Sequence, residues 1–235
     1  MNSLPEVTII NLGLVDYKEA WDIQENYFRQ AIDRKIAIRN GENLAPPSNY
    51  LILCEHPHVY TIGKSGNKEN LLLSENEVIS KEASFYKINR GGDITYHGPG
   101  QLVVYPILDL EQFFTDIHKY MRFLEEAVIN TLLKFNIQSS RIDGMTGVWL
   151  DSDLPTARKI CAMGVKSSRW VTMHGIGFNI NTNLDFFSHI VPCGIDDKAV
   201  TSMQKELGRK IDIKEVEAII LEEFKSLFGF IVKEN

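Results

Sequence analysis

Cys193 lies in the segment VPCGI, between a proline and a glycine, where a loop leaves neighbouring amides accessible and a thiol can meet a substrate. A cysteine attacks as its thiolate, so it needs a base or a cation nearby. Lys159, in RKICAMG (158–164), is a candidate cation, but Cys161 stands two residues from it and rivals Cys193 as the activated thiol. With a strand's period of two, Lys159, Cys161 and Met163 share one face and Ile160 and Ala162 the other. A third group of reactive types is RGGDITYHGPGQ, Arg90 to Gln101: four glycines and a proline in twelve residues, interleaved with Arg90, Asp93, Thr95, Tyr96, His97 and Gln101. That composition predicts a shaped loop whose backbone can approach a ligand closely while its side chains donate, accept or titrate. In CEHPH (54–58), Cys54, His56 and His58 recur at every second residue. Pro57 breaks that run and no fourth ligand matches a recurrent zinc site, so no metal is expected.

The elements that must carry these groups follow from periodicity. Val7 to Leu14 reads as a strand, and Asp16 caps a long amphipathic helix, with Glu19 completing a capping box and Gly41 as its stop. Tyr50 to Cys54 and Val59 to Ile62 read as strands around a Pro57 turn, Glu75 to Lys81 as a short helix, and Phe85 to Asn89 and Leu102 to Leu108 as strands flanking the glycine-rich loop. Ile117 to Phe135 reads as a second long helix. Strands are expected at Gly147 to Leu150, Arg158 to Lys166 and Trp170 to Asn181, and helices at Thr201 to Leu207 and Lys214 to Leu227. Most strands follow one another directly, which predicts an α+β fold with helices packed on a mixed sheet. The 235 residues fit one domain, 1–235, with a small C-terminal helical subregion from about residue 197.

Composition narrows the function. The formal net charge of -6 speaks against a nucleic-acid binder, whose phosphate contacts need a basic surface. No apolar run is long enough to span a membrane, and MNSLPEVTII lacks the pattern of a signal peptide, so a cytoplasmic location is expected. Three irregularly spaced cysteines argue for free thiols in a reducing compartment. Between Asp153 and Asp185 there is no acidic residue, while Arg158, Lys159, Lys166 and Arg169 all fall there, a candidate basic patch for an acidic partner. No GxxxxGK[ST] occurs and the RGG segment leads into a strand, so a nucleotide site of the familiar kinds is unsupported.

EHPHVYTIGKSG, RGGDITYHGPGQLVVYPILDL, RKICAMGVKSSRWVTMHGIGFNI and HIVPCGI, in that order from about Glu55 to Ile195, closely resemble the lipoyl(octanoyl) transferase family. The resemblance implies a biotin/lipoate protein ligase-like fold, that of the class II aminoacyl-tRNA synthetase and biotin synthetase group. It implies transfer of an octanoyl group from octanoyl-acyl carrier protein to a lysine of lipoyl domains, those of 2-oxoacid dehydrogenases and the glycine cleavage H protein, with no ATP, metal or other cofactor. Carried over by position, Cys193 falls on the nucleophile and Lys159 on the lysine that tunes it. Arg90, Gly91, Gly92, Asp93, Ile94, Thr95, Tyr96 and His97 fall on acyl-substrate contacts, as do Ala162, Met163, Gly164, Gly175, Ile176 and Gly177. Arg158, Lys166 or Arg169 would help dock the acidic carrier. The chain departs from the family in two places: Cys161 replaces a small alanine-like residue, and GIGFN (175–179) replaces the more usual GFALN, which changes the bulk expected along an acyl tunnel. Three alternatives remain open: an ATP-dependent lipoate or biotin ligase on the same fold, a non-catalytic module that binds carrier or lipoylated domains, and a cysteine hydrolase with His97 as base.

Overall fold

The computed structural model describes residues 4–191 and 199–233. Cys193 therefore lies outside the described residues, as does the rest of segment 192–198.

In chain order the elements are β1 (Glu6–Leu14), α1 (Tyr17–Arg39), β2 (Asn49–Glu55), β3 (Val59–Ile62), α2 (Glu75–Ser80), β4 (Ser84–Lys87), β5 (Ile94–His97), β6 (Gln101–Ile107), α3 (Ile117–Lys134), β7 (Ser140–Ile142), β8 (Met145–Leu150), β9 (Arg158–Ser168), β10 (Val171–Asn179), β11 (Ala199–Val200), α4 (Met203–Leu207), α5 (Ile213–Phe228) and β12 (Ile231–Val232). One large mixed sheet runs β12-β1-β2-β6-β10-β9-β8-β7, with β11 pairing parallel to the first residues of β9. A small second sheet, β4-β3-β5, stands beside it. The α+β fold expected from the sequence is the one observed.

Burial explains the layering. The central strands β6 and β10 are buried along their whole length, as strands covered on both faces must be. On one face Ala20, Phe28 and Ala31 of α1 pack against Ile52, Val103, Tyr105 and Met173. On the other, Leu124, Val128 and Leu132 of α3 and Val216, Ile220 and Phe224 of α5 close over Leu102, Val104, Ile176 and Phe178. No helix among the described residues is long and apolar enough to cross a membrane.

Local chemistry sets the boundaries. Asp16 caps α1 by accepting from the amides of Lys18 and Glu19, but the reciprocal bond from Glu19 does not form; the capping box is instead at α2, between Ser74 and Glu77. The segment expected as a single shaped loop contains a strand: β5 pairs antiparallel with β3, Val59 opposite His97 and Ile62 opposite Ile94. Its glycines flank that strand, so ITYH is free to adopt β structure. Strands β2 and β3, expected around one turn, belong to different sheets.

Candidate active site

The two sheets and the α3-facing wall enclose a cavity of about 390 Å³. Lys159, Arg90, Gly91, Gly92, Asp93, Ile94, Thr95, His97, Ala162, Met163, Gly164, Gly175, Ile176 and Gly177 all line it. Tyr96, expected among them, does not. It is fully buried on the opposite face of β5, where its ring stacks on Phe186 at 4.9 Å and its hydroxyl meets His58 Nδ1 at 2.7 Å. A strand's alternation sends Tyr96 to the face opposite Thr95 and His97, and Ile94 reaches the cavity only at the strand's first residue.

Arg90 is almost completely buried, and it binds the small sheet to the glycine loop. Its guanidinium donates to the carbonyl and hydroxyl of Thr61 at 2.8 and 3.0 Å and to the Gly91 carbonyl at 3.0 Å. Gly164 permits that approach: a Cβ there would stand 3.0 Å from both Arg90 Cδ and the Gly91 carbonyl oxygen. Asp93 fixes the other end of the loop by accepting from the Ile94 amide and from Asn70 Nδ2. The Gly91 amide donates to the Val165 carbonyl at 2.9 Å, so its proton is already committed and is not offered to a substrate oxyanion.

Two histidines reach the cavity, and both are held neutral. His97 Nδ1 lies 2.6 Å from Gln101 Oε1, and Gln101 Nε2 donates to the Tyr96 carbonyl and to Asn179 Oδ1, which fixes the amide so that its oxygen accepts. Nδ1 therefore carries the proton and Nε2 the lone pair. Burial, with the charges of His56 and Arg90 adding to it, pushes His97 down to about 3. Its ring stacks on Tyr17 at 5.9 Å. His174 Nε2 donates to Asn89 Oδ1 at 3.0 Å, the Asn89 amide being oriented by its own donation to Glu25. Burial and the positive charges of Arg90 and Lys166 push His174 down to about 3 as well. So weak a base accepts a proton from a thiol only at high cost, which removes the footing of a hydrolase that uses His97 as base.

The Cys54, His56 and His58 run is a hydrogen-bonding strand end. His56 donates from Nδ1 to the Val15 carbonyl at 2.8 Å and accepts the Tyr105 hydroxyl at Nε2, also at 2.8 Å. Among the described residues no cluster could hold a metal ion.

Cys161 does not behave as an activated thiol. Between β8 and β9 the register jumps: Trp149 stands opposite Lys159 but Val148 opposite Cys161, so two steps of β9 answer one of β8. This β-bulge at Ile160 breaks the period of two. Lys159 stays on the cavity wall, whereas Ile160 and Cys161 are both fully buried in the core that α3 and α5 cover. Burial pushes the Cys161 thiol well up despite the nearby Lys159 charge, and Cys54 is likewise raised by burial. The face shared by Lys159 and Cys161, expected from periodicity, is thus not formed.

The basic segment is largely neutralised within the fold. Arg158 pairs with Glu206 at 2.7 Å and with Asp151, and Lys166 with Glu25 at 3.1 Å; Arg169 is exposed in a left-handed turn. Sequence reasoning did not find the apolar part of the wall, Met121 of α3 with Met145, Trp149 and Phe187. Met121 was legible only as one residue of a helix face and Trp149 only as one of a strand, while Met145 falls before the strand expected from Gly147.

The mixed-sheet α+β domain thus encloses a cavity with an apolar wall, bounded by a lysine, a buried arginine and two neutral histidines, a shape and chemistry suited to a ligand with an apolar chain and a polar end. Residues 16–225 match the lipoyl protein ligase A/B catalytic domain, and the chain belongs to that family. An octanoyltransferase of Christiangramia forsetii is 60% identical over 224 residues, covering 95% of this chain and 96% of its own. One of Cytophaga hutchinsonii is 56% identical over 230 residues, 97% of this chain and 94% of its own. Among solved structures, a bipartite lipoate protein ligase of Thermoplasma acidophilum superposes with a TM-score of 0.69 at 16% identity, covering 98% of this chain and 87% of that one, a likeness of fold.

Proposed function

We propose that the protein is an octanoyltransferase that moves an octanoyl group from octanoyl-acyl carrier protein to a lysine of a lipoyl domain through a thioester on Cys193. The observation that carries this reading is the cavity, in which Met121, Met145, Trp149, Met163 and Ile176 supply an apolar wall that leads to Lys159. At about 0.8 kcal/mol per buried methylene, the six methylenes of an octanoyl chain contribute roughly 5 kcal/mol of binding.

In this reading the Lys159 ammonium favours the Cys193 thiolate, which attacks the thioester carbonyl of the donor. As the tetrahedral intermediate collapses, the carbon–sulfur bond to pantetheine breaks and the ammonium gives its proton to the departing thiolate. Lys159 is then a neutral amine and takes a proton from the acceptor lysine as that nitrogen attacks the acyl-enzyme. Cys193 leaves as thiolate and the starting charge pair is restored. The acyl bond stays activated throughout, so the scheme calls for no ATP, metal or other cofactor. His97, neutral and with its proton committed to Gln101, orients groups through its Nε2 lone pair.

The test is intact-mass analysis after mixing with octanoyl-acyl carrier protein, followed by addition of a lipoyl domain without ATP. Wild type should gain one octanoyl group and pass it on. Cys193→Ser should not become acylated by a hydroxylamine-labile bond, and Cys161→Ser should behave as wild type. Loss of the adduct in Cys161→Ser but not in Cys193→Ser would reverse the assignment, and a strict requirement for ATP would replace transfer by ligation.

A further inference from the structure

Lys159 is held by a platform built from the neighbouring strand. The β-bulge at Ile160 sets Lys159 directly opposite Trp149, so the two side chains leave the sheet on the same face. The Lys159 ammonium stands 4.5 Å from the centroid of the Trp149 ring, within the range where the negative face of an indole attracts a cation. Trp149 is only 2% exposed, so the attraction acts in a largely desolvated place. Its indole Nε1 donates to the Met145 carbonyl at 3.3 Å, which sets the tilt of the ring.

Two further residues complete the platform. Gly147 has φ +123, and a Cβ on it would lie 2.6 Å from the Cys161 carbonyl oxygen and 3.4 and 3.5 Å from Cε and Cδ of Lys159. Only a glycine allows the lysine stem to lie there. Glu125 of α3 accepts from the Gly147 amide at 3.1 Å, while its other oxygen is held by Arg122 and Arg141 at 2.7 and 2.9 Å.

We propose that Trp149 is a positioning residue for the reaction: its indole face fixes the Lys159 ammonium on the cavity wall and favours the cationic form that the thiolate requires. The inference rests on the assignment of Lys159 and Cys193 under Proposed function. Among the described residues, the charged and titratable groups around Lys159 are Glu125 from α3, shared between Arg122 and Arg141; Cys161 on β9; the Arg158, Asp151 and Glu206 group at the start of β9; and Arg90, His97 and His174 across the cavity. None of these is altered by changing the indole, so the ring's own effect can be isolated.

The ring touches the ammonium before and after the thiol ionises, so the acid limb of the pH–rate profile should not move. Loss of the ring should instead move the alkaline limb, where Lys159 loses its proton. The experiment measures the single-turnover rate of Cys193 acylation by octanoyl-acyl carrier protein against pH for wild type, Trp149→Phe, Trp149→Leu and Lys159→Met. In Trp149→Leu the alkaline limb should fall by roughly half a unit to one and a half units, with Trp149→Phe recovering most of the shift. Because the leucine variant could fail to fold, mono-, di- and trifluorotryptophan placed at position 149 supply a second series of nearly constant shape. The limb should fall stepwise as fluorines drain the ring face. An alkaline limb that stays put across that series overturns the proposal while leaving the dyad intact. Equal acylation rates in wild type and Lys159→Met overturn the dyad, and the proposal with it.

Discussion

The two cavity histidines make acid stability a sharp test of the site. His97 and His174 are both pushed down to about 3 in the folded protein, whereas an unfolded-chain histidine titrates near 6.5. Folded values below unfolded ones mean that the unfolded chain binds more protons. The stability from each neutral histidine is therefore fully present above about pH 6.5 and is lost as pH falls toward 3. At pH 5.0 the folded rings remain neutral while the unfolded ones are protonated, so each histidine removes about 2 kcal/mol relative to pH 7.5, and the pair about 4 kcal/mol. That is a large part of the ~5–15 kcal/mol expected for a domain. The carboxylates that ion pairing lowers, Glu25 and Glu206, begin to contribute only below about pH 4.5 and do not obscure this window. Glu217, raised by burial, acts with the opposite sign. Urea unfolding at pH 7.5 and 5.0 should be measured for wild type, His97→Asn and His174→Gln, the amides chosen because they keep the Nδ1–H and Nε2–H donors respectively. Each variant has its own baseline stability, which cancels in the difference between the two pH values. That difference should be smaller than in wild type by about 2 kcal/mol for each substitution. A variant whose loss between pH 7.5 and 5.0 matches wild type would show that its histidine is not held neutral, and the argument from burial beside Arg90 would fail.

Gly147→Ala should lower stability by about 2–3 kcal/mol, from the left-handed φ and the contact with the Cys161 carbonyl, whereas Gly144→Ala, at φ +77 with open space around it, should cost nearer 1 kcal/mol; thermal melts of the pair separate clash from backbone preference. Glu125→Leu leaves the buried Gly147 amide without its acceptor and frees two partly exposed arginines, one of which keeps Glu126, so it should cost about 1–3 kcal/mol, read as a fall in Tm of roughly 2–12 °C. In native protein Cys54 and Cys161 should resist a thiol reagent until the chain unfolds, so rapid labelling of more than one thiol would contradict their burial. Gly177→Ala would bring a Cβ within 2.9 Å of Gln101 Oε1 and 3.4 Å of His97 Cε1; it should slow acylation severalfold with no change in the ratio of hexanoyl to octanoyl rates, because the methyl presses on the His97–Gln101 pair.

Most of the architecture was legible from local signals. Asp16 before an amphipathic run, Gly41 after it, and continuous apolar strands at Leu102 to Ile107 all marked elements that the fold contains. What escaped was whatever depended on a partner strand. The four residues ITYH carry no turn chemistry, but set among so many glycines they read as loop; pairing with Val59 to Ile62 makes them a strand and sends Tyr96 away from the cavity that His97 enters. The bulge at Ile160 was equally invisible, since nothing in RKICAMG alone reveals that β8 advances one residue while β9 advances two. That single offset separates Lys159 from Cys161. The segment around Arg158 and Lys166 looked like an open basic patch because its counter-charges, Glu206 and Glu25, are far away in sequence.

The burial and nearby charges that keep the histidines neutral also bear on how an amine could react here. A free lysine side chain titrates near 10.4, so at neutral pH only about one in a few thousand is uncharged, and deprotonation opposes attack by about 4–5 kcal/mol. The cavity already holds the buried Arg90 guanidinium, and its walls are mostly apolar. Burial and repulsion in such a place disfavour another cation, as they already do for His97 and His174. If the acceptor is a lysine, entry itself therefore pulls its pKa down toward the neutral form that can attack. That first proton passes to solvent on entry, and in the proposed scheme the second, released as the neutral amine attacks, goes to Lys159, which donor cleavage would leave as an amine beside the Trp149 ring. If Lys159 has the proposed role, the ring favours that amine's reprotonation, so the contact that holds the cation for the first half-reaction would strengthen the base needed for the second.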